Sequence, residues 1–146
     1  GASGLMQLMP STASMMKKSM GIGAKPNVED PTVNMMLGQN YVLHLLENGM
    51  VDGNLIYMLA AYNAGPAKLM EWKKRFAQED PLLFVESIPY GETRAYVMQV
   101  MTNYWIYSEL SGGNNITLAM LASGRWPNYD AATPIARLAM ASGNNS

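Results

Sequence analysis

The sequence predicts an all-α domain, mostly helix, and three of its features carry that reading. Apolar residues recur at i, i+3, i+4 and i+7 in segments of helical length, no stretch alternates with period two between hairpin turns, and breakers fall where helices would start and stop. At 146 residues the chain is in the range of a single compact core.

The elements follow in order. Ser11 is placed to cap a first helix running to Met20, with Gly21 ending it before a loop that holds Gly23 and Pro26. Asp30-Pro31 opens a second helix, because Asp is a good N-cap and Pro is tolerated at the first helical position. Leu37, Tyr41, His44 and Leu45 form its expected apolar face, and Asn48-Gly49 closes it. Leu55, Met58, Leu59 and Tyr62 predict a third helix that Gly65-Pro66 stops, so Asn63 stands at a helix end. A fourth is expected over residues 67–76. A fifth is expected over residues 93–110, with Val97, Met101, Tyr104, Trp105 and Ser108 on one face; residues 84–94 between them, broken by Pro89 and Gly91, read as a buried loop. Beyond Leu110 come Ser111-Gly-Gly-Asn-Asn115, an apolar patch over residues 116–122 and Trp126-Pro127-Asn128-Tyr129, read as a short C-terminal tail packed on the domain. Residues 141–146 are small and polar and are expected to fray. The domain division is therefore 1–110 for the main domain and 111–146 for the extension.

Composition excludes several function classes. Ten basic and eleven acidic residues give a net charge of −1, with no basic block beyond Lys73-Lys74-Arg75, so attraction to nucleic acid is not expected. A neutral polymer suits this surface better. No cysteine and a lone His44 leave no thiolate metal site, disulfide, cysteine nucleophile or histidine pair, and no metal or other cofactor is expected. No apolar run reaches the ~18 residues of a membrane span. The fourteen methionines lie mostly at helical spacing beside Leu and Val, where a flexible thioether fills core space, and His44 is read as a helix-face residue.

Three blocks carry the chemistry. The first is Gly1-Ala-Ser-Gly-Leu-Met-Gln-Leu-Met-Pro10 with Ser11-Thr12-Ala13. The second joins Asp30-Pro31, Asn34, Leu37-Gly38 and Tyr41 to Leu59-Ala-Ala-Tyr-Asn-Ala-Gly-Pro66. The third is Ile88-Pro-Tyr-Gly-Glu-Thr-Arg94 with Tyr96-Val97, leading into Asn103-Tyr104-Trp105. In content and order they resemble the signature blocks of the soluble lytic murein transglycosylase family, over roughly three quarters of the chain. The tail Leu121-Ala-Ser-Gly-Arg-Trp-Pro127 is similar to a C-terminal extension of some members.

The resemblance implies a lysozyme-like, glycan-cleaving fold whose cleft binds peptidoglycan strands in the bacterial cell envelope, in the periplasm. It also implies a reaction in which one glutamic acid protonates the leaving oxygen of the β-1,4 bond between N-acetylmuramic acid and N-acetylglucosamine. The same group then accepts the proton of the muramoyl C6 hydroxyl, which closes a 1,6-anhydro ring. A nucleophile tethered within the substrate makes a second catalytic carboxylate unnecessary. In the family that acid belongs to a Glu-Ser motif preceding the first block, so it is expected upstream of Gly1, and none of Glu29, Glu47, Glu71, Glu79, Glu86, Glu92 or Glu109 occupies the motif. The segment Ile135-Ala-Arg-Leu-Ala-Met140 faintly echoes the missing helix, but Ala139 stands where the acid is needed.

Carried over block by block, the resemblance gives Met6, Gln7 and Met9 as cleft residues, with core packing the competing reading for both methionines. It gives Tyr62 and Asn63 as site residues, with the Tyr62 hydroxyl directed towards the catalytic carboxyl; a phenol stays neutral near pH 7 and can donate. Completing a helix stripe is the alternative for Tyr62. Glu92 resembles a supporting carboxylate near the cleft, against the alternative of a local ion pair with Arg94. Two other readings stand beside the lytic enzyme. One is a peptidoglycan-binding module that grips without cutting, and the other is a lysozyme-type hydrolase, for which Glu92 is the candidate second carboxylate.

Overall fold

The computed structural model describes residues 6–23, 27–76 and 79–129. The opening five residues of the first block, Pro26 of the first loop, and the tail beyond Tyr129 with its echo segment and small polar end lie outside the described residues. The described helices are α1 (Pro10–Ser19), α2 (Pro31–Glu47), α3 (Leu55–Ala64), α4 (Pro66–Phe76), α5 (Pro81–Ser87), α6 (Gly91–Leu110) and α7 (Ile116–Ala122). Among the described residues no strand forms, and no helix is long and apolar enough to cross a membrane. The chain divides into two compact units, Gly1–Leu45 and Leu46–Ser146.

In the first unit α1 starts two residues earlier than a Ser11 cap would give. Met9 is its N-cap, without a side-chain cap bond, and Pro10 takes the first helical position, where a missing N–H is no loss. Met20 closes the helix and Gly21 turns away at φ 65°. Asp30 caps α2 as expected: its Oδ1 accepts the N–H of Thr32 at 2.9 Å and of Val33 at 3.2 Å. Asn34, Leu37, Gly38, Tyr41 and Leu45 form the buried face of α2. His44 does not join it and is exposed, because it lies about 80° from the centre of that stripe at 100° per residue.

In the second unit Asn54 caps α3, accepting from the Tyr57 N–H at 3.1 Å. Ile56, Met58, Leu59, Ala60 and Ala61 are all buried, which a helix shows when it is covered on more than one side; α3 packs on both α4 and α6. Gly65 stops it at φ 94°, a backbone region that favours glycine, and Pro66 opens α4. The buried loop expected over residues 84–94 is mostly helix instead. Asp80 caps α5 by accepting from Leu82 and Leu83 at 2.9 and 3.1 Å, Pro81 takes the first position, and Phe84 and Val85 face inward. Only residues 88–90 separate it from α6, which begins at Gly91. The apolar patch of the tail is α7, tied to α6 by Trp105 Nε1 donating to Thr117 Oγ1 at 3.0 Å. Trp126 packs its ring 4.8 Å from Tyr57 and 5.6 Å from Phe84, while main-chain bonds join Leu55 to Pro127 and Tyr129 to Gly53 at 2.9 and 2.7 Å.

The methionines divide. Met16, Met58 and Met101 are core, as the spacing predicts, but Met9, Met15, Met35 and Met70 are exposed. Core filling therefore does not account for all of them.

Candidate functional site

In the first unit, Met6 to Met9 lead into α1. The Met6 N–H donates to Asn34 Oδ1, and Asn34 Nδ2 in turn donates to the Val28 carbonyl at 3.1 Å. Asn34 is fully buried, so α2 holds the main chain of the first block from inside. Gly38, one turn further along α2, permits the approach. A Cβ there would fall 2.6 Å from Met6 Cγ and 2.7 Å from Met6 Cβ, well inside contact distance.

Gln7 follows at φ 49°, a left-handed conformation that side chains other than glycine rarely adopt, and it is exposed. Leu8 turns into the core at 2% exposure, and Met9 turns out at 51%. The core reading thus fails for Met9, and Met6 is half-buried against Gly38. Gln7 and Met9 are presented to solvent from a main chain anchored on either side.

In the second unit, the structure brings the end of α3 to the start of α6. Tyr62 is half-buried and Asn63 exposed, both in the last turn of α3. Thr93 Oγ1 donates to Asn63 Oδ1 at 2.7 Å across thirty residues of sequence. Thr93 is 1% exposed and was not singled out from the sequence, although it lies four residues before inward-facing Val97 and so on the buried face of α6.

Glu92, next to it, is exposed in the first turn of α6, where the helix dipole favours a negative charge. The Glu92–Arg94 ion pair does not form among the described residues, because Arg94 Nη1 donates to the Ile88 carbonyl at 2.5 Å and braces the 88–90 connection. Of the neighbouring tyrosines, Tyr96 is half-buried and its phenol is pushed above the ordinary value by desolvation, whereas Tyr90 is exposed with its ring edge-on to Trp72 at 5.4 Å. Burial raises the Tyr41 phenol in the same way. Among the described residues no cluster of three or more His, Asp or Glu is placed to hold a metal ion.

The arrangement offers neutral hydrogen-bonding groups, a phenol, an amide and a buried hydroxyl, with a single carboxylate beside them. Such a set can bind an uncharged polar ligand and position a neutral donor.

The transglycosylase SLT domain profile matches residues 1–84, and the soluble lytic transglycosylase helical domain profile matches residues 87–115. The soluble lytic murein transglycosylase of Escherichia coli strain K12 is 36% identical over 129 residues, covering 86% of this chain and 20% of that protein. The corresponding protein of Salmonella typhimurium is 35% identical over 130 residues, covering 86% and 19%. This chain therefore spans about a fifth of the length of the curated relatives it matches.

Among solved structures, the 70 kDa soluble lytic transglycosylase of Escherichia coli matches with a TM-score of 0.70 and 38% identity, over 77% of this chain and 19% of that one. An inactive Glu-to-Gln mutant of lytic transglycosylase Slt from Pseudomonas aeruginosa matches at 0.69 and 36%, over 78% and 19%. The all-α, lysozyme-like class expected from the sequence is the class of these structures. With its signature blocks in order and more than half of its length matched by the profile, the chain belongs to the transglycosylase SLT domain family.

Proposed function

We propose that this chain belongs to a peptidoglycan lytic transglycosylase domain in the bacterial envelope, acting in the periplasm. It cleaves the β-1,4 bond between N-acetylmuramic acid and N-acetylglucosamine without water and leaves 1,6-anhydromuramoyl ends. The observation that carries the reading is the junction of two signature blocks: the Tyr62-Asn63 end of α3 is hydrogen-bonded to the Glu92-Thr93 start of α6. Met6, Gln7 and Met9 contribute glycan contacts, Tyr62 donates towards the catalytic carboxyl, Asn63 binds the glycan, and Glu92 supports the site without attacking the sugar. Residues 1–110 form the working domain and 111–146 its extension.

The acid is a glutamate of the family's Glu-Ser motif, which precedes the first block; the Glu86-Ser87 pair lies far beyond that block, at the end of α5. The Pseudomonas relative, inactive after one Glu-to-Gln change, fits a mechanism that depends on a single carboxyl group. Taken alone, the 146 residues carry their Glu-Ser pair, Glu86-Ser87, outside that motif, at the end of α5, which favours a second reading, a module that binds peptidoglycan without cutting it.

Turnover of purified peptidoglycan separates the two. The 146-residue chain alone is expected to release no muropeptides, and the chain joined to an upstream segment bearing Glu-Ser is expected to release them. Release by the chain alone would overturn the assignment of the acid, and failure of the extended protein would leave the binding module. In the extended protein Glu92→Gln is expected to lower turnover and leave it measurable; complete loss with an unchanged melting curve would make Glu92 a direct participant.

A further inference from the structure

Where α3 ends and α6 begins, a buried hydroxyl meets an exposed amide. Thr93 Oγ1 donates to Asn63 Oδ1, and Asn63 Nδ2 has no acceptor among the described residues. A side-chain amide carries its acceptor and its two donor protons on different atoms of one plane, so committing the oxygen decides what the group offers outward. Flipping the amide would set nitrogen against the hydroxyl and break the bond that the buried Thr93 proton makes to Asn63 Oδ1, a penalty of roughly tenfold in population. Thr93 cannot turn away to solvent, because it is 1% exposed on the inward face of α6.

We infer that Thr93 is a positioning residue that locks the Asn63 amide with its nitrogen outward. The end of α3 is thereby a hydrogen-bond donor, matched to the carbonyl and hydroxyl oxygens of a neutral N-acetylated sugar and mismatched to ligand groups that can only donate. The substrate preference rests on the glycan-binding reading of Asn63 given above. The lock itself rests on the Thr93 bond.

The test uses the 146-residue chain labelled with 15N and titrated with tetra-N-acetylchitotetraose. Four proteins are compared by the Asn63 side-chain NH2 resonances where present, by affinity and by melting curve: the parent, Thr93→Val, Thr93→Ser and Asn63→Asp. Thr93→Val keeps the shape and removes the hydroxyl; it is expected to move the Asn63 NH2 pair towards the values of a free amide and to weaken binding about threefold to tenfold. Thr93→Ser restores the hydroxyl and should return both readouts to the parent values. Asn63→Asp keeps an acceptor for Thr93 and removes the outward donor, and is expected to lose about tenfold or more in affinity with its melting point nearly unchanged.

Unmoved NH2 resonances in Thr93→Val would overturn the lock, and parent-like affinity in Asn63→Asp would overturn the donor assignment. If Thr93→Val fails to fold, the parent's own Asn63 NH2 pair decides the lock, free-amide values overturning it, and Asn63→Asp still decides the donor assignment. No binding by the parent would defeat the glycan reading of Asn63, while the NH2 resonances still judge the lock.

Discussion

Replacing Asn34 with alanine removes the polar group at the centre of the buried face of α2. The side chain is 0% exposed; it accepts from the Met6 N–H and donates to the Val28 carbonyl at 3.1 Å. Both partners are main-chain groups in part-buried positions, so alanine leaves a donor and an acceptor without their protein partner. At about 1–1.5 kcal/mol for each lost bond, the variant should be destabilised by roughly 2–3 kcal/mol, before any contribution from the void left behind. For a chain of this length that lowers the melting midpoint by roughly 6–9 °C.

The control is Asn40→Ala on the same helix, where the side chain makes one local bond to the Met36 carbonyl at 2.9 Å and alanine has the better helix propensity. Its midpoint should move by no more than about 2 °C. Thermal unfolding followed by circular dichroism compares the two, and hydrogen exchange at the Met6 amide shows whether its protection goes with Asn34. A midpoint no lower than that of Asn40→Ala, or a Met6 amide still protected in the variant, would refute the anchoring role.

Gly38→Ala should destabilise the first unit by about 1–3 kcal/mol, because the new methyl would meet Cβ and Cγ of Met6 and not merely the tip of a flexible chain; parent-like melting would mean that Met6 gives way freely. In the chain joined to a segment bearing Glu-Ser, Tyr62→Phe should slow turnover tenfold to a thousandfold, about 2–4 kcal/mol in the barrier, with the melting midpoint nearly unchanged. An unaltered rate with lowered stability would make Tyr62 a packing residue. Tyr41 and Tyr96 keep their protons above the ordinary phenol value of 10.0 because burial disfavours the charged form. Folded-state values raised in this way leave stability intact below about pH 10, and above it stability falls as the unfolded chain ionises first. Melting curves to about pH 11 should show that decline, and Tyr41→Phe should shallow it; an identical alkaline profile would remove Tyr41 from the account.

Local chemistry made much of the helix pattern readable. Asp30-Pro31 and Gly65-Pro66 are start and stop signals whose geometry needs no tertiary partner, and both work as the sequence predicts. Asp80-Pro81 is the same signal, but the seven-residue helix it opens lies close to the breakers Pro89 and Gly91 and reads as loop. The exposed methionines show the limit of periodicity, since a helical spacing does not say which face will be covered.

The candidate site residues stand in recognisable blocks of the sequence, but the bonds between side chains leave no such mark there. Asn34 stands three residues before Leu37, and Thr93 four before Val97, so helical spacing to an inward residue is a signal the sequence carries for either. A buried polar side chain needs a partner, but the partners lie 28 and 30 residues away in sequence, at Met6 and Asn63, where no local pattern points.

The central claim is most directly tested by the mass of the product. Peptidoglycan digested by the chain joined to a segment bearing Glu-Ser should yield muropeptides ending in 1,6-anhydromuramic acid, because the tethered C6 hydroxyl outcompetes water at the anomeric carbon. Products heavier by one water, with reducible muramic acid ends, would contradict the account and make the enzyme a hydrolase.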